Sequence, residues 1–187
     1  MAAHSFRDLL AQARHLATKD VGTPEQASLR RAVSTAYYAL FHLLVSEASA
    51  LLASGDSKLQ ELIARAFEHG DMYKACSTFK SGGSLPAIVD AHYGSVMAPP
   101  ELKAVAQAFV DLQDARHDAD YATHRGWTRT EALTEVERAE KAFEFWGVLS
   151  PTGTGRSATA RALSGPERET VRLFLTYLVL QKRIGSR

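Results

Sequence analysis

Apolar residues recur along this chain at the spacing of an α-helix almost from end to end, and no segment shows the alternation of a strand. Several of the helical stretches open on a Ser or Thr followed three residues later by Glu or Gln, the pattern of a capping box. These pairs are Thr23 and Gln26, Ser57 and Gln60, Thr128 and Glu131, and Ser164 and Glu167. The pattern predicts an all-α fold: a compact up-and-down bundle of four to five helices with an additional C-terminal helix.

The second predicted helix runs from Thr23 to about Ala53. Its middle, residues 36–45, is apolar around nearly the whole circumference, so we expect other helices to surround it. Residues 71–100 are less regular, since glycines and prolines interrupt a short helical stripe of Met72, Cys76 and Phe79. The helix predicted to begin at Ser57 carries an apolar stripe that we expect to be buried, formed by Leu59, Leu62, Ile63, Ala66 and Phe67.

Composition and charge change abruptly near residue 150. Residues 150–163 are rich in turn formers, and residues 164–187 form an amphipathic pattern with apolar groups on two sides. Residues 1–149 hold 15 basic and 19 acidic side chains, whereas residues 150–187 hold 7 and 2. We therefore predict three parts: a helical bundle over 1–149, a linker over 150–163, and a basic amphipathic helix over 164–187.

The composition of the 187 residues excludes several classes of function. A formal charge of +1 argues against a protein whose whole surface is basic enough to bind nucleic acid. The single cysteine, Cys76, excludes a framework of internal disulfides. No uninterrupted apolar run is long enough for a membrane span, so we expect a cytoplasmic protein without membrane association. Neither a Gly-Lys-Ser/Thr phosphate loop nor a Gly-x-Ser-x-Gly elbow occurs, and we expect no cofactor.

Two clusters could carry chemistry. The first lies in residues 34–42, where Tyr38 and His42 share a helix face among bulky rings. In one interpretation these side chains pack in the core, and their hydroxyl and imidazole groups form hydrogen bonds inside the protein. In the other they form a binding surface. The second cluster, residues 111–124, brings His117, Asp120 and His124 to one face, a spacing that a metal could use. No matching ligand motif occurs elsewhere, and we expect no metal.

Taken together, the Arg-Arg-Ala-Val-Ser-Thr-Ala-Tyr-Tyr-Ala-Leu-Phe-His run of residues 30–42 and the Arg-His-Asp-Ala-Asp-Tyr run of residues 116–121 resemble a HEPN domain (higher eukaryotes and prokaryotes nucleotide-binding). The resemblance covers roughly residues 5–148. It implies a bundle of four or five helices that commonly dimerises, works in toxin–antitoxin, defence or RNA-processing systems, and often acts beside a small nucleotidyltransferase-like partner. Many similar proteins are metal-independent endoribonucleases.

The resemblance implies the roles of two residues in the nuclease motif of the family. An Arg holds the scissile phosphate, and a His that follows after about four to six residues moves the proton of the 2′-hydroxyl. Arg116 occupies the Arg position, but Asp120 and Tyr121 stand where the His is expected. On a continuous helix His124 would lie about 12 Å along the axis from Arg116. An Asp beside the Arg also repels phosphate.

Three functions follow from these observations. The first candidate is a non-catalytic or weakly catalytic HEPN-like partner in a toxin–antitoxin, defence or RNA-related system, with Arg116, Asp120, Tyr121, Tyr38 and His42 forming a binding site. The alternative is a metal-independent endoribonuclease, a toxin that cleaves RNA with Arg116 and His124 at a dimer cleft. A metal-dependent hydrolase is the third.

We also expect a homodimer. The helix containing residues 37–42 and the final helix both carry apolar side chains on more faces than a monomer of this length easily covers.

Overall fold

The protein is entirely helical over the residues that its computed structural model describes, which are 6–82, 85–94, 96–152 and 161–184. Eight helices occur there, so the all-α prediction is confirmed. They are α1 (Phe6–Thr18), α2 (Gln26–Leu52), α3 (Ser57–Ala64), α4 (His69–Ser81), α5 (Ala87–Tyr93), α6 (Pro100–Tyr121), α7 (Arg129–Leu149) and α8 (Gly165–Ile184).

The chain forms two compact units. The first comprises Met1–Leu43 and Ala108–Phe143, and the second comprises Leu44–Gln107 and Glu144–Arg187. The helices α2, α6 and α7 each contribute residues to both. The predicted boundaries at residues 149 and 164 follow composition rather than packing, and they stay a prediction.

The first unit is built around a small apolar core from α1, α2, α6 and α7. Its buried members are Ala17, Leu29, Ala32, Val33, Ala119, Trp127 and Ala132. Two partly exposed polar links join segments of this unit. Arg14 on α1 donates to Glu140 on α7 (Nε to Oε1, 2.6 Å), and the side-chain amide of Gln26 exchanges two hydrogen bonds with the backbone of Trp127. Gln26 therefore fixes the loop before α7 and does not form the predicted capping box.

In the second unit, α8 packs against α4. Phe79 of α4 lies edge-on to Phe174 of α8, with 5.1 Å between the ring centroids, and Trp146 of α7 lies 6.4 Å from the same ring. Ser164 and Glu167 cap α8 as predicted. Hydrogen bonds from Arg161, followed by those from Ser164, hold the pKa of Glu167 at about 2.

The cap and the stripe predicted for α3 were both wrong. The carboxylate of Asp56 accepts from the backbone N–H of Leu59 at 3.0 Å and caps the helix, whereas Gln60 donates to the carbonyl of Ala53. No residue of α3 is buried, and Leu59 and Leu62 are exposed at the surface. Of the predicted stripe only Phe67 is buried, and it lies beyond the end of α3 at Ala64.

The helix α2 is long and apolar enough to cross a membrane by length and composition, with 67% of its most apolar window buried in the protein. A core helix passes the same test, so this finding is weak evidence for a membrane span. The cytoplasmic location stays a prediction.

Candidate functional site

The two sequence clusters meet in the first unit, where α2 faces the C-terminal half of α6. Arg116 lies one helical turn before Asp120, and its Nε is 2.8 Å from Oδ2 of that carboxylate. The other carboxylate oxygen, Oδ1, accepts a hydrogen bond of 2.6 Å from the hydroxyl of Ser34 on α2. Nη2 of Arg116 donates to the hydroxyl of Tyr38, also on α2, at 3.2 Å. These four side chains form a continuous polar network, which we call the Arg116 network.

Two aromatic rings flank the guanidinium. Its Cζ atom lies 5.7 Å from the centroid of the Tyr38 ring and 5.8 Å from that of Tyr121. Such distances are those of cation–π contacts. Tyr121 is 63% exposed, and its ring meets that of His117 at a centroid distance of 4.9 Å. The network therefore has a buried side on α2 and an aromatic side open to solvent.

The positive charge of Arg116 is compensated within the protein by the carboxylate of Asp120. Only 19% of its side chain and 31% of that of Asp120 are exposed. Burial opposes the charge of the guanidinium, but its interactions with Tyr38, Asp120 and Tyr121 outweigh burial and raise its pKa above the ordinary value. A phosphate that approached Nε of Arg116 would have to displace the carboxylate of Asp120, which also accepts the hydrogen bond from Ser34.

His42 lies one turn after Tyr38 on α2. Its ring stacks on Tyr38 at a centroid distance of 6.4 Å and meets the edge of Phe41 at 5.4 Å. Desolvation beside these rings lowers the pKa of His42 below its ordinary value. A neutral imidazole is therefore favoured in the folded state.

His124 lies outside the network. Because α6 ends at Tyr121, His124 belongs to the following turn, where it is exposed and has no hydrogen bond or ion pair with the residues the structure describes. The described residues also contain no group of three His, Cys, Asp or Glu side chains that could hold a metal ion. The proposed set of His117, Asp120 and His124 thus forms no such group.

The sequence analysis missed Arg30, which organises this end of α6. Its guanidinium donates to the carbonyls of Ala119 (2.7 Å), Ala122 (3.0 Å), Thr123 (3.3 Å) and Arg125 (2.5 Å). It therefore satisfies carbonyls that a helix end leaves without intrahelical partners. Its position one turn before Ser34 on the same face of α2 was the available signal.

No family model, no curated protein and no solved structure matches this chain in the comparisons made. The resemblance to HEPN domains therefore rests on residues 30–42 and 116–121 alone, and the all-helical structure agrees with it only at the level of fold class.

Proposed function

We propose that this protein is a HEPN-like helical partner without ribonuclease activity of its own, acting with another protein in a toxin–antitoxin, defence or RNA-related system. The observation that carries the proposal is the ion pair between Arg116 and Asp120, completed by Ser34 and Tyr38. The family resemblance supplies the biological context.

Catalysis of RNA cleavage needs a cation free to bind the scissile phosphate and a base that removes the 2′-hydroxyl proton. Asp120 already compensates the cation, and it stands where the family pattern has its histidine. A carboxylate at that place repels phosphate, whereas a histidine would accept or donate a proton beside it. Asp120 therefore opposes catalysis in two ways: it compensates the cation that would bind phosphate, and it replaces the histidine that would transfer the proton.

A partner site suits the outer side of the same network. Tyr121 and His117 present a tilted aromatic pair to solvent, and Tyr121 is among the most exposed large apolar side chains that the structure describes. Tyrosine is enriched in protein interfaces because its ring is rigid and its hydroxyl tolerates water. Arg116 supports this pair through its cation–π contact with the ring of Tyr121.

The first test is RNA cleavage without metal. The purified chain is incubated with single-stranded RNA of mixed sequence in EDTA, beside the Arg116→Ala and His124→Ala variants. We expect the wild type to leave the RNA intact, as both variants do. Cleavage by the wild type that is lost in Arg116→Ala, with the fold retained by circular dichroism, would overturn the proposal.

The second test addresses the partner directly. The chain is co-expressed with the product of the adjacent gene, which the resemblance predicts to be nucleotidyltransferase-like, and complex formation is measured by size exclusion. We expect a stoichiometric complex that Tyr121→Ala weakens and Tyr93→Ala, a similarly exposed tyrosine elsewhere, does not. Failure to form any complex would contradict the partner role.

One observation favours the alternative, an endoribonuclease that uses Arg116 and His124. On a continuous helix His124 would lie about 12 Å along the axis from Arg116. Because α6 ends at Tyr121, the helix does not impose this separation on the two residues. The same cleavage assay decides between the two functions, because the alternative requires loss of cleavage in both Arg116→Ala and His124→Ala.

A further inference from the structure

A groove between α5 and α8 in the second unit is lined mainly by apolar side chains. On α8, Leu173 and Tyr177 are buried, whereas Leu180 is 37% exposed. On α5, Ile88 and Tyr93 are about half exposed. We call this surface the α5–α8 groove. Large apolar side chains that are exposed together along one groove are typical of an interaction surface.

The charged side chains beside this groove are mainly arginines of α8. Arg168 and Arg172 line the part of the groove near the start of α8. Arg183 follows Arg172 after about three turns of helix, so these two side chains lie on nearly the same side of α8, about 16 Å apart. Both are exposed, and neither forms a hydrogen bond or ion pair through its side chain within the part of the chain that the structure describes. The acid of α5, Asp90, is not among the residues that line the groove.

The acids of α8 do not cancel the charge of these arginines. Glu167 is already bound by Arg161 at 2.7 Å, and the remaining base of the helix, Lys182, is matched by Glu68 at 3.2 Å. The only other acid of α8 is Glu169, which is exposed and lines the groove. Among the described residues, α8 therefore presents three arginines and one acid that have no ionic partner.

We propose that the α5–α8 groove binds an acidic amphipathic helix of another protein. The apolar side of that helix enters the groove beside Leu180, and its carboxylates pair with Arg172 and Arg183. Because these two arginines lie about 16 Å apart, a segment of about three turns reaches both. The proposal does not rest on the proposed function, since it uses no residue of the Arg116 network, and Tyr121→Ala should leave this binding unchanged.

Charge and shape select this occupant. A second copy of α8 would meet the first with like charge. Arginines attract nucleic acid, but bases bind by stacking on aromatic rings, and most side chains of the groove are aliphatic. A lipid surface is flat, whereas the apolar side chains here line a groove. An acidic helix with an apolar side satisfies both the arginines and the groove.

The first experiment selects ligands without assuming their sequence. The full chain is immobilised and exposed to a displayed library of random peptides of about 16 residues, long enough for four turns of helix. We expect the selected peptides to contain more Asp and Glu than Lys and Arg, with apolar residues repeating every three or four positions. Selection of neutral or basic peptides, or of none, would overturn the proposal.

The same selection on two variants locates the binding site. Leu180→Glu places a carboxylate in the groove, and we expect the acidic peptides to be lost. The matched control is Leu62→Glu, which changes an even more exposed leucine on α3 and should retain them. Loss in both variants, or retention in both, would show that the peptides bind outside the α5–α8 groove.

The second experiment separates the charges of α8. The affinity of one selected peptide is measured by fluorescence anisotropy at low salt. Arg172→Gln and Arg183→Gln should each weaken binding by about threefold, whereas Glu169→Gln should strengthen it. None of these side chains is ion-paired within the described residues, so melting temperatures should stay unchanged, and Arg31→Gln on α2 should have no effect on binding. A change in the same direction for Glu169→Gln and Arg172→Gln would contradict the proposal.

The third experiment compares the other anionic ligands. Short single-stranded RNA and vesicles of anionic phospholipid are titrated against the labelled peptide on the wild-type chain. We expect neither to displace the peptide at physiological salt, where binding to exposed arginines alone is screened. Displacement by RNA or by vesicles that Leu180→Glu leaves intact and Arg172→Gln abolishes would assign this surface to nucleic acid or to membrane, and the proposal would be wrong.

Discussion

At the scale of single residues, Arg116 is more a part of the fold than a free ligand-binding cation. Removing it leaves Asp120 beside Ser34 without its counter-charge and takes a hydrogen-bond partner from Tyr38. We expect Arg116→Ala to lower the free energy of unfolding by about 2–3 kcal/mol, less than for a fully buried pair because both side chains keep some exposure.

Urea denaturation measures this loss. The control is Arg31→Ala, an exposed arginine on α2, which should change stability by less than about 0.5 kcal/mol. Equal stabilities of Arg116→Ala and the wild type would mean that the ion pair contributes nothing to the fold, and Arg116 would then be free for phosphate.

The two neighbouring tyrosines of α2 differ in a way that periodicity could not predict. Tyr37 is fully buried and packs against Phe109 at a centroid distance of 5.5 Å, whereas Tyr38 lies at the edge of the core. Because nearly the whole circumference of α2 is apolar, its pattern does not say which side remains near solvent. The polar residues on α6 decide it: Tyr38 faces Arg116.

This placement gives a second prediction. Tyr38→Phe removes only the hydroxyl that Arg116 contacts, and we expect it to cost about 1 kcal/mol. Tyr37→Ala empties a fully packed ring site and should cost about 3–5 kcal/mol. Denaturation curves of the two variants check both values, and a larger loss in Tyr38→Phe than in Tyr37→Ala would reverse the assignment of core and edge.

His42 makes stability depend on pH. Because its pKa is lowered in the folded state, the unfolded chain binds more protons once the pH falls below about 6.5. Stability should therefore decrease between pH 7.5 and pH 5.5. Melting temperatures at these two values test it: His42→Gln should show a smaller decrease than the wild type. Equal decreases would assign the pH dependence to other groups.

At the scale of elements, two of the four predicted capping boxes form, at Thr128–Glu131 and Ser164–Glu167, although each glutamate also pairs with an arginine. Thr128 and Glu131 form the predicted box at the start of α7, with the backbone N–H of Thr128 2.7 Å from a carboxylate oxygen of Glu131. Gln26 was misassigned because Trp127, 101 residues away, takes its amide. The short helix α5 was missed because glycines and Pro86 suggested a loop. A local pattern cannot report partners that only folding brings close.

Arg30 ends α6 by side-chain contacts from another helix, and this gives a prediction at the same scale. Arg30→Ala removes the donor from the carbonyl of Ala119 at the end of α6 and from those of Thr123 and Arg125 in the following loop, so we expect a loss of about 2–3 kcal/mol and faster amide exchange over residues 119–125. Arg31→Ala again serves as the neighbouring control. Unchanged exchange in that turn would show that water replaces Arg30 at no cost.

At the scale of the whole molecule, the two compact units draw on segments far apart in sequence. Composition predicts a boundary near residue 150, which stays a prediction, and by its contacts α8 shares a compact unit with the chain from Leu44 to Gln107. The sequence shows that α8 is apolar on two sides. It does not show which of those sides meets α4, since that choice depends on contacts between residues about 100 positions apart.

The last prediction therefore concerns Phe174, which joins α8 to the rest of its unit. Its ring is fully buried between Phe79 and Trp146. Phe174→Ala should cost about 3–5 kcal/mol, because it leaves a ring-sized cavity where three elements of the second unit meet. Hydrogen exchange locates the damage: protection should fall in α4 and α8, the helices that share this ring. The control is Leu180→Ala, on the exposed side of α8, which should leave the protection of α4 unchanged. If Phe174→Ala also left the protection of α4 unchanged, α8 would be only an attached tail.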